Sequence, residues 1–93
     1  KGGSGNDRLV SGAGEDLLVG GGGSDRYVLS KNGFATIRSF NVAEDLFKVR
    51  GVKDFSSLRF IQDGSNTEVF QGDRAIALFT NVDATAFSED IYF

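Results

Sequence analysis

A strict nine-residue period at the start of the chain limits what it can fold into more than any other feature. Written from Gly2, the sequence reads GGSGNDRLV, SGAGEDLLV and GGGGSDRYV. Glycine takes positions one, two and four, aspartate position six, and a large apolar residue position eight. Only Ser11 departs. A flexible Gly/Ser linker would carry the glycines without Asp7, Asp16 and Asp25, or Leu9, Leu18 and Tyr27, at fixed spacing. Repetition of this kind marks stacked architectures, in which each unit buries its apolar residue only against its neighbours. Glycine lets the turn backbone reach positive φ and bring carbonyls inward where a Cβ would obstruct them. The end of each unit, such as Asp16-Leu17-Leu18-Val19, reads as a short strand with Leu18 pointing inward.

One turn and one strand per nine residues makes half a coil, so repeats one and three stack on the same side, about 4.8 Å apart. That places Asp7 almost on top of Asp25. Two carboxylates so close repel one another unless a cation lies between them. Carbonyl and carboxylate oxygens without nitrogen or sulfur select a hard ion, and an irregular cage of about six oxygens suits Ca²⁺ better than Mg²⁺.

The pattern GGxGxDxUx resembles the RTX (hemolysin-type) calcium-binding repeat, a β-helix signature. The resemblance implies an all-β fold: a right-handed parallel β-roll holding Ca²⁺ between turns two repeats apart, followed by an antiparallel C-terminal cap. It implies carbonyls from positions two and four of the earlier turn, carbonyls from positions one and three of the later turn, and both position-six aspartates. One complete site then joins Gly3, Gly5 and Asp7 to Gly20, Gly22 and Asp25. A second begins with Gly12, Gly14 and Asp16, and a third with Gly21, Gly23 and Asp25. A fourth repeat would need aspartate where Phe34 stands, and the family's acidic residue before its Thr-Ile strand is Ala35 here. Asp45, after Phe40, is the acidic residue left to cap the upper sites. The resemblance extends to the C-terminal region of serralysin-like type I secreted proteins through TIRSF, EDLFKVRGV and a DF-containing turn. It implies upstream repeats and a catalytic or effector domain in a parent chain.

Composition narrows the function classes. The chain of 93 residues has no cysteine and no histidine, which removes disulfides, thiolate zinc sites and Ser-His-Asp or Cys-His chemistry. A net charge of −3 argues against nucleic acid as a main partner. No apolar run approaches the roughly 20 residues of a membrane span. Nine of the 13 glycines precede Arg26, whereas all nine phenylalanines follow Gly33. A single domain over 1–93 is therefore expected, with repeats in 1–30 and a capping segment in 31–93. The capping segment reads as strands at Thr36–Phe40, Leu46–Val49, Leu58–Ile61, Thr67–Phe70 and Ala75–Phe79. Asp63-Gly64-Ser65-Asn66 and Gly72-Asp73 supply turns, and Asp54 and Asp83 N-cap single helical turns. Tyr27 is expected to be buried where repeats meet cap.

The tail, Ser88-Glu89-Asp90-Ile91-Tyr92-Phe93, reads either as a last strand or, by resemblance, as an uncleaved type I secretion signal. The leading expectation is a non-catalytic, secreted, calcium-folded module that serves export of a larger protein through the type I secretion machinery. The alternative is an accessory module that binds an anionic polysaccharide such as alginate through Lys48, Arg50, Lys53 and Arg59.

Overall fold

The computed structural model describes residues 5–93, and Gly3 lies outside them. The repeats form β1 (Arg8–Val10), β2 (Gly14–Val19) and β3 (Arg26–Ser30). The chain continues through β4 (Gly33–Arg38), β5 (Leu46–Arg50), β6 (Leu58–Asp63), β7 (Asn66–Gln71) and β8 (Arg74–Phe79). Successive strands of the first half alternate between two sheets. One sheet has the order β1-β3-β5 and the other β2-β4-β8-β7-β6. Pairing is parallel within β1-β3-β5 and within β2-β4-β8, and antiparallel from β8 through β7 to β6. The fold is thus all-β with one parallel and one mixed sheet.

Register follows the repeat and then drifts from it. Arg8 faces Arg26, and the hydrogen bond from Asp7 to Asp25 spans 18 residues, one full coil of the nonapeptide period. One coil later the equivalent bond from Asp25 to Asp45 spans 20 residues. One added residue already precedes β4, whose pairing with β2 is offset by 19, and the second lies in the turn before β5, where no glycine is present. Ser39 takes φ 64° there, and Asn41 closes the turn by accepting from Ala43, Glu44 and Asp45.

Inward side chains grow larger along the stack. Leu9, Tyr27 and Phe47 face one another in the first sheet, as do Leu18, Ile37 and Phe79 in the second, and all six are buried. Phe40 sits between the layers, 5.4 Å from the Tyr27 ring and 4.9 Å from Phe79. Aromatic rings from β5, β6, β8 and the loops complete this core, which replaces the apolar side chains that the glycine-rich turns cannot provide.

The capping segment covers an open sheet edge of the stack. Its strand β8 pairs directly with β4, so the cap extends one sheet edge to edge. The hairpin turn at Gly64-Ser65 and the turn at Gly72-Asp73 form as expected, with Gly64 at φ 62° and Gly72 at φ 66°. Asp54 and Asp83 cap the single 3-10 turns Phe55–Ser57 and Ala84–Ala86. The tail is not a strand. Glu89–Ile91 is one 3-10 turn, after which Tyr92 makes a single parallel bridge to Phe47 and the Phe93 N–H donates to the Phe47 carbonyl. The Tyr92 hydroxyl is already engaged with the backbone at Val49 and Val52, which holds the chain in a turn instead of letting it run along β5.

Candidate metal centre

Each strand of the parallel sheet is immediately preceded by an aspartate: Asp7 before β1, Asp25 before β3 and Asp45 before β5. Parallel stacking brings these three into one column. Asp25 Oδ1 accepts from the Asp7 N–H at 2.9 Å, and Asp45 Oδ1 accepts from the Asp25 N–H at 2.8 Å. The carbonyls continue the ladder, with Arg26 N–H donating to Asp7 at 2.8 Å and Leu46 N–H to Asp25 at 3.0 Å. Asp25 and Asp45 are each only 1% exposed, so two acidic side chains sit inside a small domain without a basic partner in the column. Buried carboxylates are costly unless charge or hydrogen bonds compensate them.

The hydrogen bonds do not fully compensate. Asp45 has both oxygens engaged, Oδ1 by Asp25 and Oδ2 by the Asn41 N–H at 2.8 Å. Asp7 Oδ2, Asp25 Oδ2 and the Tyr27 hydroxyl are buried with no hydrogen-bond partner among the described residues. Tyr27 is fully buried, as expected, and its hydroxyl lies beside the aspartate column. Burial, and then the Asp45 and Asp25 carboxylates, raise its ionisation well above the ordinary value. Backbone at Gly20 offsets part of the rise, with geometry short of a hydrogen bond.

The glycine turns supply the second kind of oxygen. A Cβ on Gly20 would strike the Tyr27 hydroxyl and Asp25 Oδ2, so glycine at position 20 leaves room for both. Gly23, at φ +86°, stands directly against the Gly5 carbonyl, and the Asn6 side chain accepts from the Ser24 N–H at 2.9 Å. Gly21 takes φ +80° in an exposed turn, with Gly22 in the open beside it. On the opposite side of the stack, Gly33 abuts the carbonyls of Gly12 and Gly14, so turn-over-turn packing recurs there. Carboxylates do not recur with it. Asp16 faces Ala35 across the sheet and bonds back to its own turn through Gly12, at 3.2 Å.

The candidate residues therefore fall into two groups. Gly5, Asp7, Gly20, Gly23, Asp25 and Asp45 share the aspartate side, whereas Gly12, Gly14 and Asp16 form a turn with a single carboxylate. Among the described residues no three acidic groups form a self-sufficient metal cluster, so an ion on the aspartate side would need backbone carbonyls as well. An all-oxygen set with unpartnered buried anionic oxygens fits a hard divalent cation such as Ca²⁺. The contribution of Tyr27 was not legible in the nonapeptide pattern, which asks position eight only to be large and apolar. The basic residues expected as one patch are split: Lys48 and Arg50 lie on β5, and Arg59 lies on β6 in the other sheet.

Glycine turns, alternating strands and an aspartate column define a repeat array joined to a β cap. Residues 1–29 match the family of the RTX calcium-binding nonapeptide repeat (4 copies). No curated protein matches the chain.

Proposed function

We propose that this chain is a calcium-folded, non-catalytic module of a secreted protein. In this reading residues 8–50 wind as a right-handed parallel β-roll, with Ca²⁺ held between turns on the aspartate side. Asp7 and Asp25 supply carboxylate oxygens, and the glycine turns around positions 3, 5, 20 and 22 supply carbonyls. A further site would begin with Gly21, Gly23 and Asp25, with Asp45 bracing the column from above through its bond to Asp25. The supporting observation is the pair of buried, unpartnered oxygens on Asp7 and Asp25. Without a cation, those charges oppose stacking of the very turns that carry the fewest apolar side chains.

Extracellular Ca²⁺ modules bind at about 10⁻⁴–10⁻³ M, so a cytosolic chain would stay empty and unfolded. Such a chain could pass through a type I secretion channel and fold on exit. The tail, whose Ile91 is buried and whose Tyr92 is tied to β5, would serve as a secretion signal only before that folding. Among the described residues no helix is long and apolar enough to cross a membrane. The test is far-UV circular dichroism in EDTA and then in millimolar Ca²⁺. Gain of β signal only with Ca²⁺ is expected, whereas full signal and slow amide exchange in EDTA would refute the switch.

A second reading, an anionic polysaccharide site, draws on a different face. Arg26 and Lys48 each lie 5.5 Å from the centroid of the exposed Phe93 ring. Loss of binding to an oligosaccharide array in Lys48→Ala, with the Ca²⁺ response intact, would favour it.

A further inference from the structure

The outer face of the five-stranded sheet carries exposed apolar side chains at both of its edges. Register places Leu17, Thr36, Leu78, Glu68 and Ile61 in one row across all five strands. Their chain neighbours Leu18, Ile37, Phe79, Val69 and Phe60 belong to the core, so the row faces outward. Leu17 is 53% and Ile61 43% exposed, at the two ends of the row. One step along the strands, Glu15 is paired with Phe34 at one edge, and Arg59 with Phe70 at the other. Arg59 lies over the Phe70 ring, with its guanidinium 5.5 Å from the centroid.

This arrangement is complementary to itself. A twofold axis running along the central strand β8 reverses strand order and keeps each row at its own level. It would set Leu17 against Ile61 of a second copy, Leu78 against Leu78, and Phe34 against Phe70. The same operation brings Glu15 onto Arg59, and Arg59 onto Glu15. A contact of this kind, in which one patch meets its own copy, is the usual geometry of a two-subunit assembly. Charge of opposite sign at the two ends fixes the register of the pairing and excludes a sheet stacked in the unreversed order. From these observations we propose that two copies of the chain associate face to face through the five-stranded sheet, with reciprocal Glu15–Arg59 pairs at its margins.

The test rests on charge exchange. Four strand spacings separate Glu15 from Arg59, roughly 19 Å, so they cannot pair within one chain. Sedimentation velocity of the chain in millimolar Ca²⁺ should show a concentration-dependent dimer. Glu15→Arg and Arg59→Glu should each weaken it at least about tenfold, and the double exchange should restore it. Leu17→Asp should leave a monomer. All three positions are solvent-facing, and circular dichroism in Ca²⁺ verifies folding of each variant. A monomer at every concentration, or a double exchange no tighter than the single variants, overturns the proposal; so does capture of this face only by another part of a longer parent chain.

Discussion

Replacing Asp25 by asparagine should change stability in opposite directions with and without calcium. The introduced amide keeps an Oδ1 that accepts the Asp7 N–H, and it removes the charge buried between Asp7 and Asp45. Its nitrogen would stand in place of the unpartnered Oδ2, beside the Tyr27 hydroxyl that also has no partner. In EDTA, gaining one such hydrogen bond should stabilise the fold by about 0.5–1.5 kcal/mol. In Ca²⁺ the same amide presents a donor to the ion and a neutral ligand where a carboxylate stood. At 100 times its dissociation constant one ion contributes about 2.7 kcal/mol, most of which Asp25→Asn should forfeit. For a domain of this size that corresponds to a calcium-induced rise in Tm smaller by roughly 10–20 °C. Folding of both proteins driven by a stabilising osmolyte in EDTA, and thermal melts across a Ca²⁺ series, measure it. A variant that loses the same stability in both conditions, or keeps the full calcium shift, would show that Asp25 is a purely structural side chain.

Three further outcomes follow from the same geometry. Asp25→Ala should weaken Ca²⁺ binding and lower its stoichiometry more than Asp7→Ala, because Asp25 is flanked by turns on both sides; calorimetric titration giving equal values would refute the assignment. Tyr27→Ser should cost at least about 2 kcal/mol in chemical denaturation, since it empties a fully buried aromatic site between Leu9 and Phe47; a cost under about half a kcal/mol would mean the ring contributes little to the core. The raised Tyr27 ionisation also predicts a pH effect: the contribution is intact below the ordinary value of 10.0 and is lost above it, as the unfolded chain ionises first, so Tyr27→Phe should melt less steeply with rising pH. Gly33→Ala should destabilise by about 1–3 kcal/mol, because its new Cβ meets the Gly12 and Gly14 carbonyls, and a neutral result would mean that those turns yield easily.

The nonapeptide period was enough to locate β1, β2 and β3 and to stack Asp7 on Asp25 at one full coil. It succeeds because a repeat interacts mainly with copies of itself, so local spacing already specifies the long-range contact. Turn chemistry likewise located the β6–β7 hairpin and both aspartate-capped turns, since those conformations are decided by residues two or three apart. Other features depended on distant parts of the chain. Whether the capping strands would lie over the stack or extend a sheet was settled by the free edge of β4 and its match to Ala77, Leu78 and Phe79. Burial of Tyr27 was expected, but the aim of its hydroxyl arises from the gap left at Gly20 one turn earlier. The tail became a turn because the Tyr92 hydroxyl finds a backbone partner at Val49, 43 positions away in sequence. Nothing local to Ser88–Phe93 specifies that contact. Short-range periodicity determined the repeats and the spacing of their aspartate and turn-carbonyl oxygens, while tertiary packing decided which of those oxygens were left buried and without partners.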